Sequence, residues 1–134
     1  MTLDAKILDA TRIGESPDLL APDGSQVRLL CRTARGSMAH FTLPPGAVSI
    51  AVAHRSIEEI WYFVRGQGRM WRRQGAFEEI LEVGPGLSLA IPTGTHFQFR
   101  CDGEEPLAAV GVAMPPWPGA EEAYPVVGPW RATA

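Results

Sequence analysis

The chain has 134 residues, of which 46% are hydrophobic and 20% are charged, and its formal net charge at pH 7 is -3. This length suits a single domain with its own hydrophobic core, and the composition is that of a globular protein. A nucleic-acid-binding surface needs clustered Lys and Arg, which the slightly acidic balance does not provide. We therefore expect no nucleic-acid partner.

The N-terminal stretch MTLDAKILDATRIGE is charged throughout and lacks the apolar core of a secretory signal. The longest apolar run, AVSIAVA (residues 47–53), is much shorter than the roughly 20 residues of a membrane helix. The two cysteines, Cys31 and Cys101, have no C-x-x-C spacing and are expected to be reduced thiols in apolar strands. The sequence thus predicts a cytoplasmic protein with no membrane partner.

Gly and Pro, which occur 14 and 12 times, divide the chain into short segments rich in β-branched and aromatic residues. This pattern predicts nine successive strands. In chain order they are QVRLLC (26–31), MAHFTL (38–43), AVSIAVA (47–53), EIWYFV (59–64), RMWRR (69–73), FEEILEV (77–83), LSLAI (87–91), HFQFR (96–100) and LAAVGVAM (107–114). Because no window has a helical period, we expect an all-β sandwich or closed barrel with little helix.

The two ends of the chain differ from this middle region. Residues 1 to about 24 are predicted to form a strand and a loop. The C-terminal arm, residues 115–134, is rich in Pro and cannot be helical. Its Trp117, Tyr124 and Trp130 are expected to dock the arm on the barrel or on a second subunit. With no linker in between, residues 1–134 form one domain.

Two glycine-containing patterns hold the residues with recognisable chemistry. In the first, four residues separate His54 from Glu59 and six separate Glu59 from Gly66. In the second, five residues separate Gly86 from the stretch PTGTH, which ends at His96. In this order, over roughly residues 36–114, the patterns resemble the two signature motifs of the cupin superfamily. The resemblance implies a double-stranded β-helix, or jelly-roll barrel.

The chain departs from the cupin motifs at three places, one of which is Arg100, where the usual closing Asn of the second motif is not evident. Val52 stands where the first motif usually carries an additional His. In the second motif one residue, Thr95, separates Gly94 from His96, where the family usually has two. The metal site that the resemblance implies is therefore open to three interpretations: three ligands, a rebuilt set, or no metal.

Strand alternation groups the candidate site residues. Within one strand Glu59 shares a face with Trp61 and Phe63, and within another His96 shares a face with Gln98 and Arg100. If both faces point inward, they join His54 in a pocket lined by Trp61, Phe63, Gln98 and Arg100. The predicted metal ligands are His54, Glu59 and His96. Two His and one carboxylate suit Fe(II), and Zn, Mn or Ni also bind such a set.

His40 is the third and last histidine of the chain and lies in the strand before the first motif. If its side chain points inward, it replaces the missing ligand or serves as an acid or base beside the metal. If it points outward, it is an ordinary strand histidine. Strand parity alone does not decide between these two interpretations.

Two functions follow from the resemblance. One is a metal-dependent enzyme acting on a small oxygen-bearing molecule, of the dioxygenase, isomerase or cyclase class. The other is a non-catalytic cupin that binds or senses a small ligand with a degenerate metal site. The catalytic residues stay unknown, because fold does not determine function.

A homodimer is also expected. Ile60, Tyr62 and Val64 are predicted to face outward, as are Phe97 and Phe99, and such an apolar face needs a covering surface. Either the C-terminal arm or a second subunit with twofold symmetry would cover it.

Overall fold

A computed structural model describes residues 8–134. It contains eleven strands and, within the described residues, one helical segment, the 3-10 turn Ala120–Glu122. The first six strands are β1 (Leu19–Leu20), β2 (Gln26–Arg32), β3 (Ser37–Leu43), β4 (Val52–His54), β5 (Glu58–Arg65) and β6 (Gly68–Gln74). The others are β7 (Phe77–Val83), β8 (Ser88–Ile91), β9 (His96–Cys101), β10 (Leu107–Met114) and β11 (Ala123–Pro125).

The strands form two antiparallel sheets that enclose one core. The six-stranded sheet has the order β1-β2-β3-β10-β5-β8, and the five-stranded sheet has the order β11-β4-β9-β6-β7. Neighbours in space are often far apart in sequence, as in a jelly roll. The predicted all-β fold with little helix is confirmed.

The alternating sequence of β5 explains how the barrel gains its interior. Glu59, Trp61 and Phe63 are buried, whereas the side chains between them, such as Ile60 and Tyr62, are exposed. Successive side chains of a strand point to opposite faces of the sheet, so one apolar face of β5 enters the core. The largest fully buried side chains from other strands are Leu43, Met70, Ile91, Phe97, Phe99 and Leu107.

Gly111 in β10 lets two aromatic rings meet inside the barrel. Strand β10 lies between β3 and β5, and the rings of Phe41 and Trp61 stack across it with centroids 4.8 Å apart. A Cβ atom at Gly111 would lie 2.8 Å from Cε2 of Phe41 and 2.9 Å from Cδ1 of Trp61. Only glycine leaves room for this stack.

The chain ends differ in detail from the sequence-based expectations. Part of the N-terminal prediction, residues 1–7, lies outside the described residues, and the remainder contributes only the two-residue strand β1. The predicted strand over residues 47–53 shortens to β4. The first part of the predicted strand lies outside β4 and makes irregular backbone hydrogen bonds: Ser49 N donates to Phe99 O and Ile50 N donates to Asp23 O. The arm forms an unpredicted strand, β11, against β4.

Within residues 8–134 there is no helix with the length and apolar character needed to cross a membrane.

Candidate functional site

A cavity of about 510 Å³ lies between the two sheets. This volume is within the usual range for small-molecule sites. The walls come from β1 to β5, from β9 and β10, and from the C-terminal arm. The side chains that matter chemically are Asp23, Phe41, His54, Glu59, Trp61, Phe97 and Trp117.

His54 and Glu59 meet at the wall of this cavity. His54 ends β4 and Glu59 lies near the start of β5, and Nε2 of His54 is 3.7 Å from Oε1 of Glu59. Both residues are only 4% exposed. Trp61, on the same face of β5, donates from Nε1 to Oε1 of Glu59 at 3.2 Å. The indole therefore fixes the carboxyl group beside the imidazole.

Burial shifts the pKa values of Glu59 and His54 in opposite directions. It raises the pKa of Glu59 from 4.5 to about 8; the Trp61 hydrogen bond opposes this, and the charges of Asp23 and Glu122 add to it. Burial lowers the pKa of His54 from 6.5 to about 4, against the attraction of Glu122. At neutral pH the carboxyl group is therefore protonated and the imidazole is neutral. The pair is a neutral acid beside a neutral base, not an ion pair.

The other ring nitrogen of His54 has no hydrogen-bond partner. Its Nδ1 is buried, and the ring is surrounded by Phe97 and Trp117, whose centroids lie 5.3 Å and 5.6 Å away, both edge to face. A buried polar atom without a partner is costly. Nδ1 of His54 is therefore a buried ring nitrogen whose burial no hydrogen bond compensates.

His96 does not join this pair, and the expectation that it faces inward is corrected. In β9 the side chains of Phe97, Phe99 and Cys101 belong to the core, so His96 points to the opposite face of the sheet. It lies there beside Arg73, its cross-strand neighbour. The physical reason is parity: the second motif is one residue short, and that residue exchanges the two faces of the strand.

Gln98 and Arg100 share the outer face of β9 with His96, so they do not line the cavity. Gln98 binds the end of the arm: its Nε2 donates to Ser49 O and Trp130 O, both at 2.8 Å, and its Oε1 accepts from Trp130 N at 3.1 Å. The guanidinium of Arg100 lies 5.3 Å from the ring centroid of Trp130. Phe63 faces inward but belongs to the closed core rather than to the cavity wall. Trp61 is the one predicted lining residue that reaches the cavity.

His40 lies outside the barrel. It pairs with Val110 of β10 and with Arg28 of β2, on the face of β3 opposite Phe41 and the cavity. Burial and the nearby Arg28 charge lower the pKa of its imidazole. The alternative in which His40 replaces the missing metal ligand therefore does not fit the structure.

A three-ligand metal centre does not fit the residues present. Within residues 8–134, no group of three or more His, Cys, Asp or Glu side chains is arranged to hold a metal ion. Near His54 and Glu59, the inward positions that could add an imidazole are occupied by Val52 and Phe97, which pair across β4 and β9. The interior thus offers hydrocarbon where further ligands would be needed.

Besides Phe41 and Phe97, two chemically important residues of the cavity were not predicted as site residues: Asp23 and Trp117. Asp23, in the turn after β1, is 5% exposed, and Ser25 donates to its Oδ1 from the backbone nitrogen and the hydroxyl at 2.9 and 2.6 Å. Burial raises the pKa of Asp23, against these hydrogen bonds. Trp117 was expected only as an anchor of the arm. Neither residue has a sequence signal that would separate it from turn or tail residues.

Comparison with known proteins supports the fold. A family model, Cupin domain, matches residues 39–113. A solved structure from Bacillus halodurans is 22% identical with a TM-score of 0.62, over 69% of this chain and 72% of that chain. A Klebsiella pneumoniae protein with a double-stranded β-helix domain is 14% identical with a TM-score of 0.62, over 96% of each chain.

A larger protein is also similar. The oxalate decarboxylase of Bacillus subtilis, which has Mn(II) centres, is 18% identical with a TM-score of 0.67, over 84% of this chain and 30% of that chain. This chain thus spans about a third of the length of that enzyme. A comparison with curated protein sequences gave no match. The match over residues 39–113 and the two-sheet barrel together show that the chain belongs to the cupin superfamily.

Proposed function

We propose that this cupin binds a small, uncharged and largely apolar molecule in its barrel cavity without the help of a metal. The observation that carries the proposal is the buried pair of His54 and Glu59 at the cavity wall, 3.7 Å apart, with Nδ1 of His54 unpartnered. A ligand with one polar group would bind this pair by that group. Its apolar body would then contact the aromatic walls.

The chemistry of the walls supports an uncharged ligand. Phe41, Trp61, Phe97 and Trp117 supply aromatic surface around the pair. Among the cavity-lining residues of the described chain, Arg32 is the one Lys or Arg. With His54 neutral, a ligand carboxylate placed at the pair would find no cation in the pair itself and would be close to Glu59 and Asp23. Burying such an unpaired charge is strongly unfavourable.

The absence of a fitting metal set supports the binding function over a metal-dependent reaction. Cupin relatives such as oxalate decarboxylase show that the family can hold Mn(II). In this chain the two donors at the cavity wall, His54 and Glu59, are accompanied by Val52 and Phe97. Two protein ligands are fewer than the three that catalytic metal sites usually have.

A binding experiment with a matched pair of probes tests the proposal. 4-Phenylbutanol and 4-phenylbutyrate have the same apolar body and differ in charge, and isothermal titration calorimetry of the full chain measures both, with and without added Mn²⁺, Zn²⁺ or EDTA. We expect the alcohol to bind and the carboxylate to bind at least tenfold more weakly, with no effect of metal or chelator. His54→Ala should weaken binding of the alcohol, whereas His96→Ala, which changes a residue on the outer face, should not. Binding that requires a metal, or preference for the carboxylate, would contradict the proposal.

A second candidate function is proton transfer on the bound molecule, as in an isomerase. It is favoured by the opposite pKa shifts of Glu59 and His54, because such a pair provides an acid and a base at one place. Glu59 would donate a proton and His54 would accept one. Exchange of ligand C–H protons with D₂O, followed by NMR and lost in Glu59→Gln, would distinguish this function from binding alone.

A further inference from the structure

The cavity has a buried end and an open end. At the buried end His54 and Glu59 have almost no contact with solvent, whereas Leu19 and Leu29, which line the same cavity, are 43% and 48% exposed. A side chain that lines a cavity and still reaches solvent lies at its opening. The opening, called here the mouth, is formed by exposed cavity-lining residues of β1 and β2, namely Leu19, Leu20, Leu29 and Arg32.

The strand register fixes how far the mouth lies from the polar pair. Glu59 of β5 pairs with Ala113 of β10, and Ala113 pairs in turn with Ser37 of β3. Ser37 then pairs with Arg32 of β2. These four residues, called here the inner row, all line the cavity and cross four adjacent strands. Three strand spacings of about 4.8 Å separate the two ends of the row, so the mouth is about 14 Å from Glu59.

Small side chains leave room along the inner row. Between Glu59 and the mouth the row consists of Ala113 and Ser37, and Ala39 lies beside Ser37 on the same face of β3. Exposure increases in the same direction, because Ala113 is buried, Ser37 is half-buried and Arg32 is exposed. The cavity is therefore a path that leads from the buried pair to solvent.

The leucines of the mouth continue the apolar surface of this path. Leu19 pairs with Val27, which belongs to the core, and Leu29 follows Val27 by two positions, so both leucines lie on the inner face of the sheet. Their exposed surface is thus contiguous with the cavity wall. An apolar group that reached the mouth from inside would remove this surface from water, which is favourable.

We propose that the ligand is a linear amphiphile, with one uncharged polar group on a chain of about ten to twelve carbons. This inference rests on the proposed function, because it names the class of ligand for the same site. The polar group binds at His54, whose buried Nδ1 has no partner, and at Glu59. The chain follows the inner row and ends at Leu19 and Leu29. An extended chain advances about 1.2 Å per bond, so about twelve bonds span the 14 Å.

Binding of the n-alkanols from butanol to dodecanol, kept below their solubility limits and followed by tryptophan fluorescence of the full chain, tests the length of the path. Each methylene that enters an apolar cavity should raise affinity about fourfold, and in the wild type this rise should continue at least to decanol. Ala39→Phe fills the path between the pair and the mouth, so the rise should end at octanol or earlier. Thr42→Phe adds the same ring to the outer face of β3, between the inward Phe41 and Leu43, and should match the wild type.

A second pair of variants tests the mouth. Leu29→Ser removes apolar surface there and should weaken the binding of decanol by about threefold to tenfold. Butanol is too short to reach the mouth, so its affinity should not change. Ile80→Ser is the control, since Ile80 is 52% exposed on β7 of the other sheet and does not line the cavity. Because Leu29 is exposed, Leu29→Ser should fold even if Ala39→Phe does not.

The outcomes separate the inference from the function on which it rests. A rise to decanol that ends early in Ala39→Phe and loses only its long end in Leu29→Ser supports the inference. It is overturned by a wild-type rise that ends before decanol, by an unchanged limit in folded Ala39→Phe, or by an effect of Leu29→Ser that is absent or equal at all lengths. If that absence comes with a smaller mass in light scattering, a second copy of the chain covers the mouth instead. The proposed function survives these results if 4-phenylbutanol binds the wild type, and both are overturned if neither 4-phenylbutanol nor any alkanol binds.

Discussion

The indole of Trp61 donates a hydrogen bond to the carboxyl group of Glu59, two residues earlier on the same face of β5, at 3.2 Å. Both side chains are buried, and the carboxyl group lies at the edge of an apolar cavity. The hydrogen bond compensates only part of the cost of burial, so the pKa of Glu59 stays high, at about 8. The Glu59 carboxyl group therefore lowers the stability of the fold increasingly as the pH rises from 4.5 to about 8.

Glu59→Gln is expected to remove this pH-dependent loss of stability. Between pH 4.5 and about 8 the folded state keeps a proton on Glu59 that the unfolded state has released, so this residue makes stability fall as pH rises. Relative to the wild type, the free energy of unfolding of Glu59→Gln should increase over that interval and level off above it. The gain at pH 8 should reach about 2–4 kcal/mol. Urea unfolding at pH 5, 6.5, 8 and 9 measures it.

Glu58→Gln is the control for Glu59→Gln, since Glu58 is the preceding residue of the same strand and its side chain is exposed. The free energy of unfolding of Glu58→Gln should differ little from that of the wild type at every pH. A difference for Glu59→Gln that does not depend on pH would show that the Glu59 carboxyl group is not protonated in the folded state.

Glu122→Gln is expected to loosen the arm. Burial alone would raise the pKa of Glu122, but the hydrogen bonds from Ser56 and Ile57 lower it below its usual value. Because the folded pKa is depressed, this stabilisation is present above pH 4.5 and is lost as pH falls. In hydrogen exchange at pH 7, the amides of Ile57 and Val126 should exchange at least tenfold faster in the variant, since hydrogen bonds to charged groups contribute about 1.5–3 kcal/mol each. Glu121→Gln, at an exposed neighbour, should leave both rates unchanged.

Gly111→Ala is expected to disturb the Phe41–Trp61 stack. The added methyl group would lie under 3.0 Å from both rings, so one of them must move. Overpacking of this kind costs about 1–3 kcal/mol. Chemical unfolding should show that loss, and the affinity for 4-phenylbutanol should fall because both rings line the cavity. Gly36→Ala, where the new atom would make ordinary contacts, should be close to neutral.

The double substitution Val52→His and Phe97→His should create a metal site that the wild type lacks. These residues pair across β4 and β9 beside His54, and both face the interior. Two added imidazoles would complete a set with His54 and Glu59, which suits Zn or Mn. Elemental analysis after dialysis against Zn²⁺ should give about one metal per chain for the variant and far less for the wild type and for Val52→Leu/Phe97→Leu. Stoichiometric metal in the wild type would refute the metal-free site.

The sequence predicted the fold well because its signal is repeated in every strand. Alternation in β5 correctly separated Glu59 and Trp61 from Ile60 and Tyr62. The same rule failed in β9, since it was anchored on His96 and not on the apolar Phe97 and Phe99 that enter the core. A strand side chain points to one face of the sheet or the other, and because the second motif is one residue short, the prediction for β9 chose the wrong face. The positions of Asp23 and Trp117 depend on long-range packing of a turn and an arm, which leaves no periodic pattern in the sequence.

The last prediction concerns assembly through the outer face of the six-stranded sheet. Ile60, Tyr62 and Val64 do face outward as predicted, and they remain 52%, 51% and 42% exposed in the described chain. Phe97 and Phe99, which were expected to join an outward face, lie in the core instead. The arm does not cover these β5 residues, because it packs on β4 and on the outer face of β9.

The homodimer expected from the sequence would bury this face against a second copy of the chain. The exposed row of β5 lies next to the outward Val110 and Val112 of β10, so the apolar surface is continuous over two central strands. It is bordered by polar residues such as Glu58, which suits an isologous contact in which one patch pairs with itself. Light scattering should give twice the monomer mass of 14.5 kDa for the wild type.

Tyr62→Lys should convert the dimer to a monomer, because it places two equal charges at the twofold contact. Phe77→Lys, at an exposed aromatic residue of β7 in the other sheet, should leave the dimer intact. A chain truncated after Met114 should still be a dimer, since the arm lies away from this face. Its thermal stability should be lower, because the Glu122 contacts are lost. A wild-type monomer at micromolar concentration, or a dimer that only Phe77→Lys disrupts, would rule out this face as the interface.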